Sequence, residues 1–340
     1  MSDERTGLPG LDLDRLRAHL DAARPGLVTG PLRGRVVAGG RSNLTYVVRD
    51  GAGEWVVRRP PLGHVLATAH DMSREYRVMT ALRDTGVPVP RTHLLCEDPE
   101  VLGAPFYVME YVGGTPFRTR DEIAPLGPGT ARRVAEELIT TLGVLHAVVP
   151  GEVGLSGFGR PEGFLERQVR RWGKQWEASR SRDVPGLDEL RAKLAASLPE
   201  PSAPAVVHGD YRLDNVLATP EGRITAVLDW EMSTLGDPLV DLGLMLVYQQ
   251  QPVGIGGVPA TSAEGFPPPE ELVAMYEATT GRDVSRLAWY VALGCFKLAV
   301  IAEGIHYRHG KGLTVGAGFD RIGDVVAPLV ERAHTMLEED

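Results

Sequence analysis

The amino-acid sequence predicts an α+β protein of two lobes, a small β-rich N-lobe and a larger, mostly helical C-lobe. Three features carry that expectation. β-forming runs crowd the stretch from Pro31 to about Val112. Apolar residues recur at helical spacing over most of the chain beyond it. Between the two textures lies Gly113-Gly114-Thr115-Pro116, a run that punctuates rather than continues either pattern. The length agrees: 340 residues, at about 150 per domain, is roughly two domains.

Composition narrows the function classes. Hydrophobic residues make up 43% and charged residues 24%, which excludes wholesale disorder. Lys and Arg number 36 against 45 Asp and Glu, and the net charge of −9 argues against a general nucleic-acid binder. Cys96 and Cys295 are too few for a disulfide scaffold or a cysteine zinc site. The start, MSDERTGLPG, has no apolar run of a secretory signal. The apolar stretch Leu287–Ile301 contains Lys297 and falls short of the roughly 18–20 residues needed to cross a bilayer. It reads as a buried helix, so a cytoplasmic protein without membrane or nucleic-acid partners is expected.

Each element has its own signal. Residues 1–29 form an N-terminal segment in which Leu11, Leu13, Leu16 and Leu20 share a helical face, stopped by Arg24-Pro25-Gly26. Residues 30–112 make the N-lobe. TYVV (45–48) and WVVR (55–58) flank Asp50-Gly51-Ala52-Gly53 and read as a hairpin. A helix is expected over about Ala69–Arg83, with Thr68 and Asp71 as a capping box, and then a strand at PFYVMEYV (105–112). Residues 113–340 make the C-lobe. Helices are expected over Thr130–His146, 162–180 and Asp188–Ser197, and a small β patch at 206–208, 215–218 and 224–230. A Gly/Pro-rich loop is expected over 251–269, with helices thereafter.

The densest polar signal runs from 208 to 241: His208-Gly209-Asp210-Tyr211-Arg212-Leu213-Asp214-Asn215, then Leu228-Asp229-Trp230-Glu231, then Gly236-Asp237-Pro238 and Asp241. Asp210 follows an apolar strand, Asn215 stands where the chain re-enters β structure, and Asp229 ends the next strand. A hairpin of that kind can bring an amide oxygen and a carboxylate together. Hard oxygen donors suit Mg²⁺, which takes its remaining oxygens from water and substrate phosphates. Asp210 beside them could orient a hydroxyl and accept its proton.

The string H-G-D-x-x-x-x-N, with an apolar strand ending D-W-E after it, resembles the aminoglycoside phosphotransferase family, whose fold is protein-kinase-like. The likeness covers roughly 30–320. It implies Asp210 as catalytic base, Asn215 and Asp229 as magnesium ligands, and ATP (or GTP) with Mg²⁺ as cofactors. It implies supporting roles for His208, Asp237 and Asp241 around the catalytic loop. Ala38-Gly39-Gly40-Arg41-Ser42-Asn43 stands where a phosphate-covering loop belongs, with Gly39, Gly40, Ser42 and Asn43 as nucleotide contacts. A simple β-turn is the equal alternative, because the run is not G-x-G-x-x-G. Arg58 occupies the place of the kinase strand lysine, with Glu75 as its partner; Arg is bulkier than Lys and binds phosphate differently. Arg59 is expected to face solvent. Met109 and Tyr111 mark the adenine hinge, or are simply core.

The expected partner is a small-molecule hydroxyl acceptor. The C-terminal helices would line its cleft, with Trp230, Tyr290, Lys297, Glu303 and Tyr307 as candidates. Longer strings such as VVRRPPLG and LDWEMSTLGDPLVDLG are similar to the kinase-like domain fused to some acyl-CoA dehydrogenases. That branch favours a hydroxyacyl thioester or another hydroxylated metabolite over an aminoglycoside. The alternative is a non-catalytic, pseudokinase-like nucleotide-binding module, which the Arg58 departure favours and the intact Asp210, Asn215 and Asp229 set disfavours.

Overall fold

The computed structural model describes residues 8–37, 43–62, 71–250, 258–313, 319 and 321–339. The chain divides into two compact units. The first holds Met1–Gly113 and Thr225–Glu231; the second holds Gly114–Ile224 and Met232–Asp340.

The first unit is built on one antiparallel sheet. Its strands are β1 (Arg33–Val36), β2 (Leu44–Arg49), β3 (Glu54–Arg59), β4 (Thr92–Cys96) and β5 (Phe106–Glu110), in the order β1-β2-β3-β5-β4. The β2–β3 turn is fixed by Asp50, whose carboxylate accepts from the backbone of Ala52 and Gly53 at 2.9 Å each. It also accepts from Thr29 at 2.6 Å and Gly30 at 3.1 Å, which ties the turn to the N-terminal segment. Burial opposes the charge, and these four N–H donors together more than offset it, holding the Asp50 carboxyl below its ordinary value.

Side chains alternate across the sheet with period two. Tyr46, Val48, Trp55, Val57, Phe106 and Val108 share one core with Leu16 and Leu20 of helix α1 (Leu13–Ala23). Asp12 caps that helix, accepting from the backbone of Asp14 and Arg15 at 3.0 Å each. Leu11, Leu16, Leu20 and Val28 of the N-terminal segment thus share the core of the first unit's sheet. On the other face lies α2 (Met72–Leu82), capped by Asp71 and burying Val78, Met79 and Leu82. The helix starts later than expected, and Thr68 lies outside the described residues.

Because both faces are covered, Arg59 is not solvent-facing. It is 4% exposed and donates to the carbonyls of Gly10 and of Leu102, the latter at 2.7 Å, in the single turn α3 (Pro99–Leu102). The return segment Thr225–Glu231 is stitched in by Val227 N–H to Pro88 O at 2.8 Å and Thr225 Oγ1 to Gly113 O at 2.8 Å.

The second unit is mostly helical: α4 (Arg120–Ile123), α5 (Pro128–Ala147), α6 (Phe164–Ser179), α7 (Leu187–Ala196), α8 (Leu239–Gln249), α9 (Pro269–Thr280), α10 (Leu287–Gly310) and α11 (Val326–Glu339). Short strands β6 (Ala205–Val207), β7 (Val216–Ala218), β8 (Ile224–Val227, counted with the first unit after Ile224) and β9 (Thr234–Gly236) interrupt it, with β6 and β9 paired antiparallel. Helix α10 is apolar on nearly every side and packs against α6, α8 and α11. It is longer than its apolar run suggested. Its 24 residues could cross a membrane by length and composition, yet 78% of the apolar window is buried within the protein. Gly243 of α8 permits the close approach, since a Cβ there would stand 2.6 Å from the backbone of Tyr290.

Candidate active site

In the second unit, β6 runs into His208-Gly209-Asp210. Gly209 has φ +84°, and a Cβ there would lie 2.6 Å from the Met232 carbonyl, so the turn requires glycine. Asp241 on α8 holds the loop's backbone: its two carboxylate oxygens accept from His208 N–H and Gly209 N–H at 2.7 Å each. His146 Nε2 stands 3.3 Å from the same carboxylate. Burial would raise the Asp241 carboxyl, but the His146 bond and charge together with His208 hold it below its ordinary value. His208 is fully buried, and its Nδ1 accepts from Asp210 N–H at 3.2 Å. Lys297 Nζ donates to Gly209 O at 2.6 Å and lies over the Trp172 ring. Burial pulls that ammonium down, with the charges of Asp210 and Asp241 opposing. Asp237 accepts from Ser202 N–H and Oγ, Leu239 N–H and Tyr290 OH, all within 3.1 Å.

The carboxylate of Asp210 is 27% exposed. Its Oδ1 accepts from Tyr248 OH and its Oδ2 from Asn215 Nδ2, both at 2.9 Å. Asn215 Nδ2 also reaches Asp210 O at 2.9 Å, which commits the amide nitrogen inward and turns Oδ1 away from Asp210. Beside this loop is a small cavity of about 40 Å³, lined among others by Phe117, Arg118, Arg212, Tyr248, Gln249 and Phe266.

In the first unit, Arg58 lies between Tyr107 and Thr45 in register on the face toward α2. Its Nε is 3.2 Å from Glu75 Oε2, and its Nη2 pairs with Asp229 Oδ1. Tyr107 OH donates to Glu75 Oε2 at 2.9 Å, and Asn43 Nδ2 donates to Glu75 Oε1 at 3.1 Å and Glu231 Oε2 at 3.3 Å. Burial works against the Arg58 charge, and Tyr107, Glu75 and Asp229 overcome it, so the guanidinium is held above its ordinary value. Burial pushes Glu75 up, with Arg58 and the Tyr107 hydroxyl pulling against it. Asp229 has φ +66°, the one non-glycine residue with positive φ among the described residues. That costly conformation re-aims the carboxylate just past the end of β8. Oxygens of Glu75, Asp229 and Glu231 lie within 4.8 Å of one another. Carboxylate oxygens of this kind are hard donors, the chemistry that suits a magnesium ion.

The remaining expected site residues fall in varied places. Gly39, Gly40 and Ser42 lie outside the described residues. Met109 is buried and Tyr111 is 40% exposed; the backbone N–H groups of Glu110 and Tyr111 already bond Arg91 O and Glu54 O. Three expected cleft residues are packed instead. Trp230 has no exposed surface and gives its Nε1–H to Val227 O at 3.0 Å. Tyr290 is 1% exposed and spends its hydroxyl on Asp237. Glu303 has no exposed surface and is held by Ser181 Oγ at 2.6 Å and Arg182 Nε at 3.0 Å. A side chain without surface and with its polar atoms bonded cannot line a cleft. Tyr307 stays partly exposed near Lys311. Sequence reasoning does not reach Tyr248 and Arg212; the only trace of Tyr248 in the sequence is its place two helical turns after Asp241.

A model of the phosphotransferase enzyme family matches residues 33–290. The chain belongs to this family, the aminoglycoside phosphotransferase family, and has its protein-kinase-like α+β fold. A crystal structure of a candidate aminoglycoside phosphotransferase from Ralstonia eutropha JMP134 superposes with a TM-score of 0.84 at 33% identity, covering 96% of this chain and 98% of that one. The GDP complex of aminoglycoside 2'-phosphotransferase-IIIa shares the fold, with a TM-score of 0.60 at 16% identity over 97% of this chain and 99% of that one. Acyl-CoA dehydrogenase family member 11 of Gallus gallus is 36% identical over 335 residues, 94% of this chain and 43% of that protein. The chain thus spans less than half the length of this longer relative.

Proposed function

We propose that this phosphotransferase-family chain moves the γ-phosphoryl group of ATP, or of GTP, onto a hydroxyl of a small molecule. The observation that carries the reading is the setting of Asp210. Its carboxylate keeps open surface while its loop is pinned from behind by Asp241, His208 and Lys297. Phosphoryl transfer asks a protein mainly for positioning and charge stabilisation. In this reading Asp210 orients the acceptor hydroxyl and takes its proton. Asn215 and Asp229 supply oxygens to Mg²⁺, which when bound offsets the charge of the phosphates. Arg58, with Glu75 behind it, faces the phosphates. The likeness to the relatives named acyl-CoA dehydrogenases supports a hydroxyacyl thioester, or another hydroxylated metabolite, as acceptor.

Asp210→Asn keeps the shape of the side chain and removes the base. General-base assistance contributes about 10²–10⁴-fold, so turnover falls by that order while calorimetric Mg·ATP affinity stays near the parent. The acceptors to assay are hydroxyacyl-CoAs, sugars, amino alcohols and aminoglycosides. Turnover of the folded variant within tenfold of the parent would remove Asp210 from this role. One observation favours a non-catalytic nucleotide-binding module: Arg58 stands in the lysine position and is engaged by two carboxylates. Binding of Mg·ATP without phosphoryl transfer to any acceptor would select that reading.

A further inference from the structure

We propose that Tyr248 is a positioning residue for the transfer, fixing the rotamer of Asp210 from the end of α8; this rests on the role given to Asp210 above. Helix α8 carries Asp241 and Tyr248 seven positions apart. Seven steps of 100° return to within about 20° of the starting direction while climbing about 10 Å. The two residues therefore share one face. Asp241, in the first turn, takes the backbone N–H groups of His208 and Gly209. Tyr248, in the last turn, gives its hydroxyl to Asp210 Oδ1 at 2.9 Å. One rigid element thus sets both the loop's backbone and the side chain that meets the substrate.

Asn215 completes the hold on the other oxygen, Oδ2, at 2.9 Å. With one donor on each oxygen, rotation of the carboxylate is restrained, and unshared lone pairs remain for an acceptor hydroxyl. Tyr248 is itself clamped. The Arg212 guanidinium lies 4.5 Å over its ring, and Arg212 Nη2 pairs with Asp214 at 2.9 Å. Burial first, and then the charge of Asp210, push the phenol well above its ordinary value, so it remains a donor at any working pH.

Tyr248→Phe keeps the ring and its stacking partner and removes one oxygen. The probe is Mg·ATP with the accepted hydroxyl compound, or with water where none has been found. The expected result is a fall in kcat of about 10–150-fold, the loss of one hydrogen bond to a charged group, with the acceptor KM and the Mg·ATP affinity nearly unchanged. A crystal structure of the variant should show Asp210 in a second rotamer. Asp210→Asn, run in parallel, separates two failures. If Asp210→Asn keeps its turnover, the role of Asp210 falls and this proposal with it. If Asp210→Asn is inactive while Tyr248→Phe matches the parent in kcat per folded molecule, with Asp210 in a single unchanged rotamer, Tyr248 is packing only and this proposal alone is overturned.

Discussion

At the scale of single residues, the Arg58–Glu75 pair shows how a group proposed to meet the nucleotide can also be a structural prop. The side chains are 12% and 1% exposed, so neither charge is comfortably solvated. Removing one partner of a buried pair leaves the other charge stranded, which costs about 3–5 kcal/mol. Arg58→Met is therefore expected to lower stability in urea unfolding by about that much. Adding Glu75→Gln should restore part of the loss, because the neutral amide still accepts from Tyr107. Additive effects, to within about 0.5 kcal/mol, would mean the two groups do not support each other. The practical consequence concerns assays: loss of activity in Arg58→Met bears on the proposed nucleotide contact only after the stability change has been subtracted.

At the scale of elements, α1 is the clearest case of a pattern that names a buried face without naming its partner. Leu16 and Leu20 are 0% and 1% exposed, against a sheet that begins ten residues after the helix ends. Leu16→Ala and Leu20→Ala should each cost about 2–5 kcal/mol by denaturant titration, the range for buried leucines that leave a cavity. Near-neutral effects would show that α1 is an appendage, as its sequence position alone suggests. The long helices are legible because a 3.6-residue period is strong over many turns, as in Pro128–Ala147. The three-residue strands Ala205–Val207 and Thr234–Gly236 are too short to carry a period of two. Alternation correctly sets Arg58 and Arg59 on opposite faces of β3, but it cannot say that both faces are covered, and so the solvent-facing expectation for Arg59 fails. The string from His208 to Asn215 is legible because its bonds are local. The support from Asp241, 33 residues away, is expected only through the family resemblance, and that from Tyr248, 38 residues away, depends on where α8 packs, which no short motif encodes.

At the scale of the whole chain, the division into two units has an experimental consequence. The backbone leaves the first unit at Gly113 and returns for Thr225–Glu231 before leaving again. The returning segment brings Trp230, which has no exposed surface, and the backbone bond to Pro88. Losing a fully buried aromatic of that size costs about 3–5 kcal/mol, a large share of the roughly 5–15 kcal/mol that holds a domain together. A fragment ending at residue 113 is therefore expected to melt at a lower temperature, or without a cooperative transition, by near-UV circular dichroism. The cut ends are close, since Thr225 Oγ1 donates to Gly113 O at 2.8 Å. A short Gly/Ser linker joining 1–113 to 225–231 should thus restore the transition. Identical melts of the two fragments would show that the return segment is not part of the unit's core. Because Asp229 travels with that segment while Arg58 and Glu75 reside in 1–113, the linked fragment is also the smallest piece in which their pairing can form. Its urea stability should respond to Arg58→Met as the full chain does, whereas the unlinked fragment should respond less.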